Sequence, residues 1–334
     1  MDILEKIIKP TTIFISCLIV IFFAGSCNRD YPNKNMSGLL LIPDKGELEV
    51  NYFGELASGE ILMAGNKSTL DADNRQRGID TGTYYLIDPN GLKYRKVIEL
   101  NSKTGAVFGA VNTPNNGIIL WISDYHDSGN TYLVKYNSEF KEIKRIRTKS
   151  KDGLINLVGT TQSNSMLSLS DGCFTILGYP EDFSGTDHII KYDINLNIIW
   201  QFTWGVYGSM SGMIEGENGS ILVSSESGAR ACFMKIDNAG DLQFIKNTNY
   251  STYSKFNDIE NFAGGFLCAG YVFTGTNYNA ILWKFNSKGD TIKSRIFKSK
   301  EDYKCQKLIA TRDGGFICVF NNYIASTKIS DVVK

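Results

Sequence analysis

Gly264-Gly265-Phe266-Leu267-Cys268-Ala269-Gly270 sets a glycine turn directly before an apolar run, and this stretch decides the fold because the chain repeats it. The other copies are Ser58-Gly59-Glu60-Ile61-Leu62-Met63-Ala64-Gly65, Asn116-Gly117-Ile118-Ile119-Leu120-Trp121, Asp171-Gly172-Cys173-Phe174-Thr175-Ile176-Leu177-Gly178, Asn218-Gly219-Ser220-Ile221-Leu222-Val223 and Asp313-Gly314-Gly315-Phe316-Ile317-Cys318. Their leading glycines are spaced 58, 55, 47, 45 and 50 residues apart, a period with the scatter that loop insertions produce. A fixed period of this size marks a repeat architecture.

A second unit follows each core. It is clearest in Ile189-Ile190-Lys191-Tyr192-Asp193 through Ile198-Ile199-Trp200, in Phe233-Met234-Lys235-Ile236-Asp237-Asn238-Ala239-Gly240-Asp241 and in Leu282-Trp283-Lys284-Phe285-Asn286-Ser287-Lys288-Gly289-Asp290. Lysine alternating with apolar residues has the period of a strand with one buried face. Asp-Asn-Ala-Gly-Asp and Asn-Ser-Lys-Gly-Asp supply residues that tolerate positive φ, so each unit reads as a hairpin. Four strands per period make a propeller blade. The expected fold is therefore all-β, a six-bladed β-propeller. After 316–320 and 324–329 the last copy lacks a fourth strand, and Gly38-Leu39-Leu40-Leu41-Ile42 is an apolar run without a blade of its own. That N-terminal strand is expected to complete the last blade and close the ring, which removes exposed edges.

The pattern resembles the β-propeller repeats of Bacteroidetes secreted proteins and lipoproteins, with their Asp-Gly-Gly-Phe, Lys-x-Asp-x-x-Gly-Asp and Trp-then-Tyr-Gly elements. The likeness covers about residues 45–329, with Trp200 and Tyr207-Gly208 as its last element. It is informative for architecture and silent on activity, because propellers host many functions.

Residues 11–25 are almost wholly apolar and lead through Ala24-Gly25-Ser26 to Cys27, after which Asn28-Arg29-Asp30 are polar. The run is short for a bilayer span of about 20 residues, and small residues before a cysteine suit a cleavage site. It resembles the lipobox of bacterial lipoproteins, especially the Ser-Cys-Asn endings of Bacteroidetes, with Ala24 where leucine is usual. The resemblance implies a cleaved lipoprotein signal over 1–26, palmitate-type acylation of Cys27, a lipidated tether over 27–36 and one propeller domain over 37–334. The expected location is the cell envelope, lipid-anchored to the outer membrane, since more than one acyl chain anchors stably without a spanning helix.

Lysine plus arginine and aspartate plus glutamate are each 35, so no net field draws the chain to nucleic acid. Cys173, Cys232, Cys268, Cys305 and Cys318 remain after the leader and the lipidated residue, an odd number without CxxC spacing. They read as buried free thiols rather than a disulfide frame or zinc site. No cofactor and no metal site is expected.

Two constellations are candidates for function. Long connections at 66–81, 124–130, 179–187, 203–209, 247–253, 271–279 and 321–323 would open on one face of the disc, carrying Tyr125, His126, Tyr179, Trp204, Tyr207, Tyr271 and Tyr278 with Asp124, Asp127, Glu181, Asp182 and Asp187. Aromatic faces beside carboxylates suit a sugar or a peptide, and loops of this kind carry function. Glu55, Glu215 and Glu260 each stand four residues before a leading glycine, a spacing that would set three channel carboxylates at one height. His126 and His188 lack metal-ligand spacing, and 71–76 departs from a calcium loop at Arg75 and Gln76. The resulting expectation is an envelope binding or scaffolding module for a glycan or protein ligand. The alternative is an envelope propeller hydrolase or lyase acting on glycan, disfavoured by the absence of a nucleophile motif.

Overall fold

The structure, a computed structural model, describes residues 47–55, 61–70, 76–87, 94–99, 107–115, 117–124, 130–149, 157–159, 165–180, 186–205, 209–250, 252–262, 264–298, 302, 304–310, 316–320 and 324–327. The closing run 38–42, the leader and Cys27 lie outside them. The described chain is all-β, in antiparallel sheets with one 3-10 turn at Glu217–Gly219.

Sheet 1 comprises β1 (Glu47–Glu55), β2 (Ile61–Leu70), β3 (Gln76–Ile87) and β4 (Tyr94–Glu99). Sheet 2 comprises β5 (Val107–Asn112), β6 (Ile118–Asp124), β7 (Asn130–Tyr136) and β8 (Glu142–Arg147). Sheet 3 has β10 (Met166–Ser168), β11 (Phe174–Pro180), β12 (Asp187–Tyr192) and β13 (Ile198–Trp204), with β9 (Leu157–Gly159) paired to the end of β11. Sheet 4 holds β14 (Met210–Glu215), β15 (Ile221–Ser227), β16 (Arg230–Ile236) and β17 (Leu242–Asn247). Sheet 5 holds β18 (Ser254–Phe262), β19 (Gly265–Phe273), β20 (Tyr278–Asn286) and β21 (Thr291–Phe297). Sheet 6 shows β22 (Cys305–Ala310), β23 (Phe316–Phe320) and β24 (Ile324–Thr327) among the described residues. The glycine-led runs of the repeat supply the second strand of every sheet.

First strands touch in chain order, β1 on β5, β5 on β10, β10 on β14, β14 on β18 and β18 on β22. Fourth strands β8, β17 and β21 are largely exposed. Between these extremes, the second and third strands of sheets 2 to 5 are buried on both faces over most of their length, which is why they read as nearly unbroken apolar runs. Alternate residues divide between two interfaces. Ile221 and Val223 pack with Leu177 and Ile189 of sheet 3, whereas Leu222 packs with Phe256 and Cys268 of sheet 5. Leu267 and Ala269 turn the other way, onto Leu308 and Cys318 of sheet 6. Cys232, Cys268, Cys305 and Cys318 are buried, Cys173 is half-buried, and all are free thiols.

The Lys-x-Asp hairpins hold neighbouring sheets together. Asn137, Asp193, Asp237 and Asn286 each accept two backbone N–H groups through Oδ1, from the residues two and four positions on. The residue three positions on is left-handed in each case: Phe140, Leu196, Gly240 and Gly289. Gly240, at φ +94°, also lies where an added Cβ would come 2.9 Å from the Trp200 ring, whose Nε1 donates to Asn238 O at 2.9 Å. The repeat lysine reaches the same turn of the following sheet. Lys135 Nζ donates to Ile194 O at 3.0 Å, and the buried Lys191 ammonium reaches Asn238 Oδ1 and pairs with Asp171 at 2.6 Å. The motif lysine and tryptophan are thus latches between sheets, and Asp171 with Asn238 offsets the cost of burying the Lys191 charge.

Candidate functional site at one end of the sheets

Antiparallel pairing brings the ends of β11, β13, β15 and β19 to the same side as the starts of β12, β14, β18 and β20. Tyr179 ends β11, Asp187 starts β12 opposite Trp204 on β13, Tyr271 lies near the end of β19, and Tyr278 starts β20. The connections 66–81 and 271–279 are shorter loops than the sequence implies, because β2 runs to Leu70, β3 starts at Gln76, β19 runs to Phe273 and β20 starts at Tyr278. Tyr179, Trp204, Tyr271 and Tyr278 therefore stand on strand ends, where cross-strand pairing fixes their direction. Tyr125, His126 and Tyr207 lie outside the described residues.

Side chains from four sheets converge here. Asp187 Oδ2 accepts the Met210 N–H, joining sheets 3 and 4. Lys255, the cross-strand partner of Tyr271, donates to Ser209 Oγ at 2.7 Å, joining sheets 4 and 5. Tyr253 OH donates to Glu226 Oε2 at 3.0 Å and lies 3.5 Å from Tyr271 OH. The Tyr271 and Tyr278 rings are 5.3 Å apart at 88°, and Lys304, at the start of sheet 6, holds its Nζ 3.7 Å from the Tyr278 centroid and 4.9 Å from that of Tyr271.

Burial governs the protonation of this cluster. It pushes the Asp187 carboxyl up from 3.8 to about 6, opposed by the Met210 N–H and the Lys255 charge. The Lys255 ammonium is pulled below its ordinary value by burial, against the charges of Glu226 and Asp187. Tyr179 is raised by burial and then by the Asp187 charge, and Tyr253 by burial and then by Tyr271. Because folding raises the Asp187 pKa, the native state holds its proton more tightly than the unfolded chain. Asp187 thus destabilises the fold above about pH 6, and this penalty disappears as the pH falls through 6 towards 3.8. Asp187→Asn is expected to raise the melting temperature at pH 8 and to flatten its rise between pH 7 and 4. A pH series of thermal melts checks this, and an unchanged slope contradicts it.

The glutamates lie at the opposite end, with the tight turns. Five of the six first strands, all but β10, align through a bulge in which one residue is passed over in the pairing: Asn51, Phe108, Ser211, Asn257 and Gln306. Counted from it, Glu55, Asn112, Glu215, Asn261 and Ala310 are equivalent, and Glu260 falls one residue short. One residue along a strand turns the side chain to the other face, so the expected common register of three carboxylates does not hold for Glu260. The Glu215 carboxylate accepts the Ser170 N–H at 3.0 and 2.9 Å and the Ser170 hydroxyl at 2.6 Å, and Asn261 Nδ2 donates to Glu215 O at 3.1 Å. Glu215 therefore ties sheet 3 to sheet 4, and Asn261 ties sheet 5 to sheet 4. The Glu55 side chain is outside the described set.

Lys255, Glu226, Tyr253 and Lys304 carry this cluster without belonging to any sequence motif. The usable signal was their place beside strand ends that the repeat had already located.

No protein-family model matches the sequence, and no curated protein matches it. Solved structures align over most of the chain. A member of the duf4221 family from Bacteroides vulgatus is 13% identical over 80% of this chain and 87% of that one, with a TM-score of 0.50. An oligogalacturonate lyase in complex with manganese is 11% identical over 85% and 77%, with a TM-score of 0.51. The extracellular domain of a Bacteroides thetaiotaomicron protein described as a one component system is 11% identical over 83% of this chain and 31% of that one, with a TM-score of 0.51. At such identities the likeness is one of fold, all-β and propeller-like, and two of these three proteins come from Bacteroides.

Proposed function

We propose that the six sheets are blades of one closed propeller spanning 37–334, with 38–42 as the fourth strand of sheet 6. Lipid on Cys27 tethers it to an envelope membrane, the outer one, and it acts as a binding or scaffolding module for a glycan or protein ligand. The observation that carries the binding reading is the convergence of Tyr253, Tyr271, Tyr278, Lys255, Lys304, Glu226 and Asp187 at one end. Rings offer stacking faces to sugars, while half-buried charges offer directed hydrogen bonds. The extracellular placement of one fold neighbour and the lipobox-like leader support the envelope location.

A glycan array probed with soluble 28–334 is the test. Binding is expected, with Trp204→Ala and Tyr278→Ala weakening it by about tenfold or more. An array without hits, together with no protein partner in cross-linked membranes, contradicts the reading.

The second reading, a glycan hydrolase or lyase, is favoured by the Asp187 carboxyl, which burial raises to about 6, since a carboxyl titrating there suits proton transfer near neutral pH. Chromatography of glycans incubated with the protein separates the two: shortened products lost in Asp187→Asn support catalysis.

A further inference from the structure

Lys304 lies in the connection between sheets 5 and 6, half-buried, and among the described residues its ammonium makes no ion pair although Asp302 stands two residues away. It lies instead against the Tyr278 and Tyr271 rings, with Nζ 3.7 and 4.9 Å from their centroids. Both distances fall within the roughly 6 Å reach of a cation–π contact. The two rings it touches and their aromatic neighbours are inclined to one another: Tyr271 to Tyr278 at 88°, Tyr253 to Tyr278 at 79°, Phe273 to Tyr278 at 54° and Tyr253 to Tyr271 at 45°. Inclined rings form walls rather than a stack. Carboxylates flank two of the tyrosines, for Tyr253 OH donates to Glu226 and the Tyr278 N–H donates to Asp302 at 3.0 Å.

The rings all belong to sheet 5 or the segment leading into it, whereas Lys304 arrives on a separate connection. The side chain can leave without breaking a strand pair. All three tyrosines are half-buried, so the walls are reachable from solvent once it does.

We propose that Tyr253, Tyr271 and Tyr278 form a receptor cage for an organic ammonium group, filled by the ammonium of Lys304 until a ligand displaces it. The proposal rests on reading this end as the ligand-binding one and names the chemistry it selects. A quaternary ammonium suits such a cage because it is weakly hydrated and spreads its charge over methyl groups that touch ring faces.

Choline is the probe, and its neutral isostere 3,3-dimethylbutan-1-ol is the control, each titrated calorimetrically into soluble 28–334. Lys304→Ala is expected to bind choline about tenfold more tightly than the parent and to prefer it about tenfold over the alcohol. Adding Tyr278→Leu to Lys304→Ala is expected to abolish choline binding, while adding Tyr278→Phe, which keeps the ring and is the gentler change for folding, retains it. Choline binding that Lys304→Ala does not improve, equal affinity for the two probes, or retention in the leucine variant overturns the cage. If the cage fails while glycan-array binding persists, the ligand-binding end stands without it; if both fail, both readings fall.

Discussion

Asp258→Ala is expected to lower stability by about 3 kcal/mol, because it strips a buried backbone donor of its acceptor. Asp258 is fully buried on β18, one residue past the bulge. Its Oδ2 accepts the Leu308 N–H from sheet 6 at 2.8 Å, and its Oδ1 accepts its neighbour Ile259 N–H at 3.0 Å. The carboxylate is thus a bolt between the first strands of consecutive sheets. The facing position on sheet 4 is Gly212, where an added Cβ would lie 2.9 Å from Asp258 Oδ1, so the glycine leaves the space that the carboxylate fills. Alanine leaves Leu308 N–H unpaired in a dry interface and opens a void. Calorimetry should show a fall in melting temperature of several degrees, and Asp258→Asn, which keeps one acceptor oxygen, should recover part of it. A change below about 1 kcal/mol contradicts the role of Asp258 as a tie between sheets.

A larger loss is expected from removing the segment proposed to close the ring. Sheets 1, 2, 4 and 5 have four strands and sheet 3 has four with β9 added, whereas sheet 6 shows three among the described residues. Leu39-Leu40-Leu41-Ile42 is apolar throughout, more so than the largely exposed fourth strands β8, β17 and β21, and so supplies side chains to bury on at least one face. Burying two or three such side chains is worth about 5 kcal/mol, and leaving β24 as an open edge invites pairing between molecules. Soluble 44–334 is therefore expected to melt well below 28–334 and to associate on heating; equal melting and equal solubility would contradict closure by this segment.

The parts of the fold legible in sequence were those in which backbone geometry demands a residue type. Glycine before an apolar run located β2, β6, β11, β15, β19 and β23, because a tight turn and an apolar strand leave little choice at either place. The Asp-x-x-Gly-Asp hairpins were readable for the same reason. Phe140 and Leu196 hold the left-handed conformation that Gly240 and Gly289 take in the other two, so at that place the residue type is no guide. Counting from glycine misplaced Glu260, since register along the first strands follows the bulge at Asn257, and nothing in the residue types announces a bulge. At the candidate site, Tyr271 and Tyr278 were legible as aromatic residues beside a connection. Lys255 was not, because a lysine inside a strand reads as solvated, and only the convergence of Glu226, Asp187 and Ser209 from two other sheets shows why its charge is tolerated there.

A crystal structure of soluble 28–334 decides most directly whether these sheets make one ring bearing its ligand site at one end. A closed propeller requires 38–42 hydrogen-bonded along β24, with β22 beside β1. Sheet 6 lying apart from sheet 1, or 38–42 packed elsewhere, would contradict it.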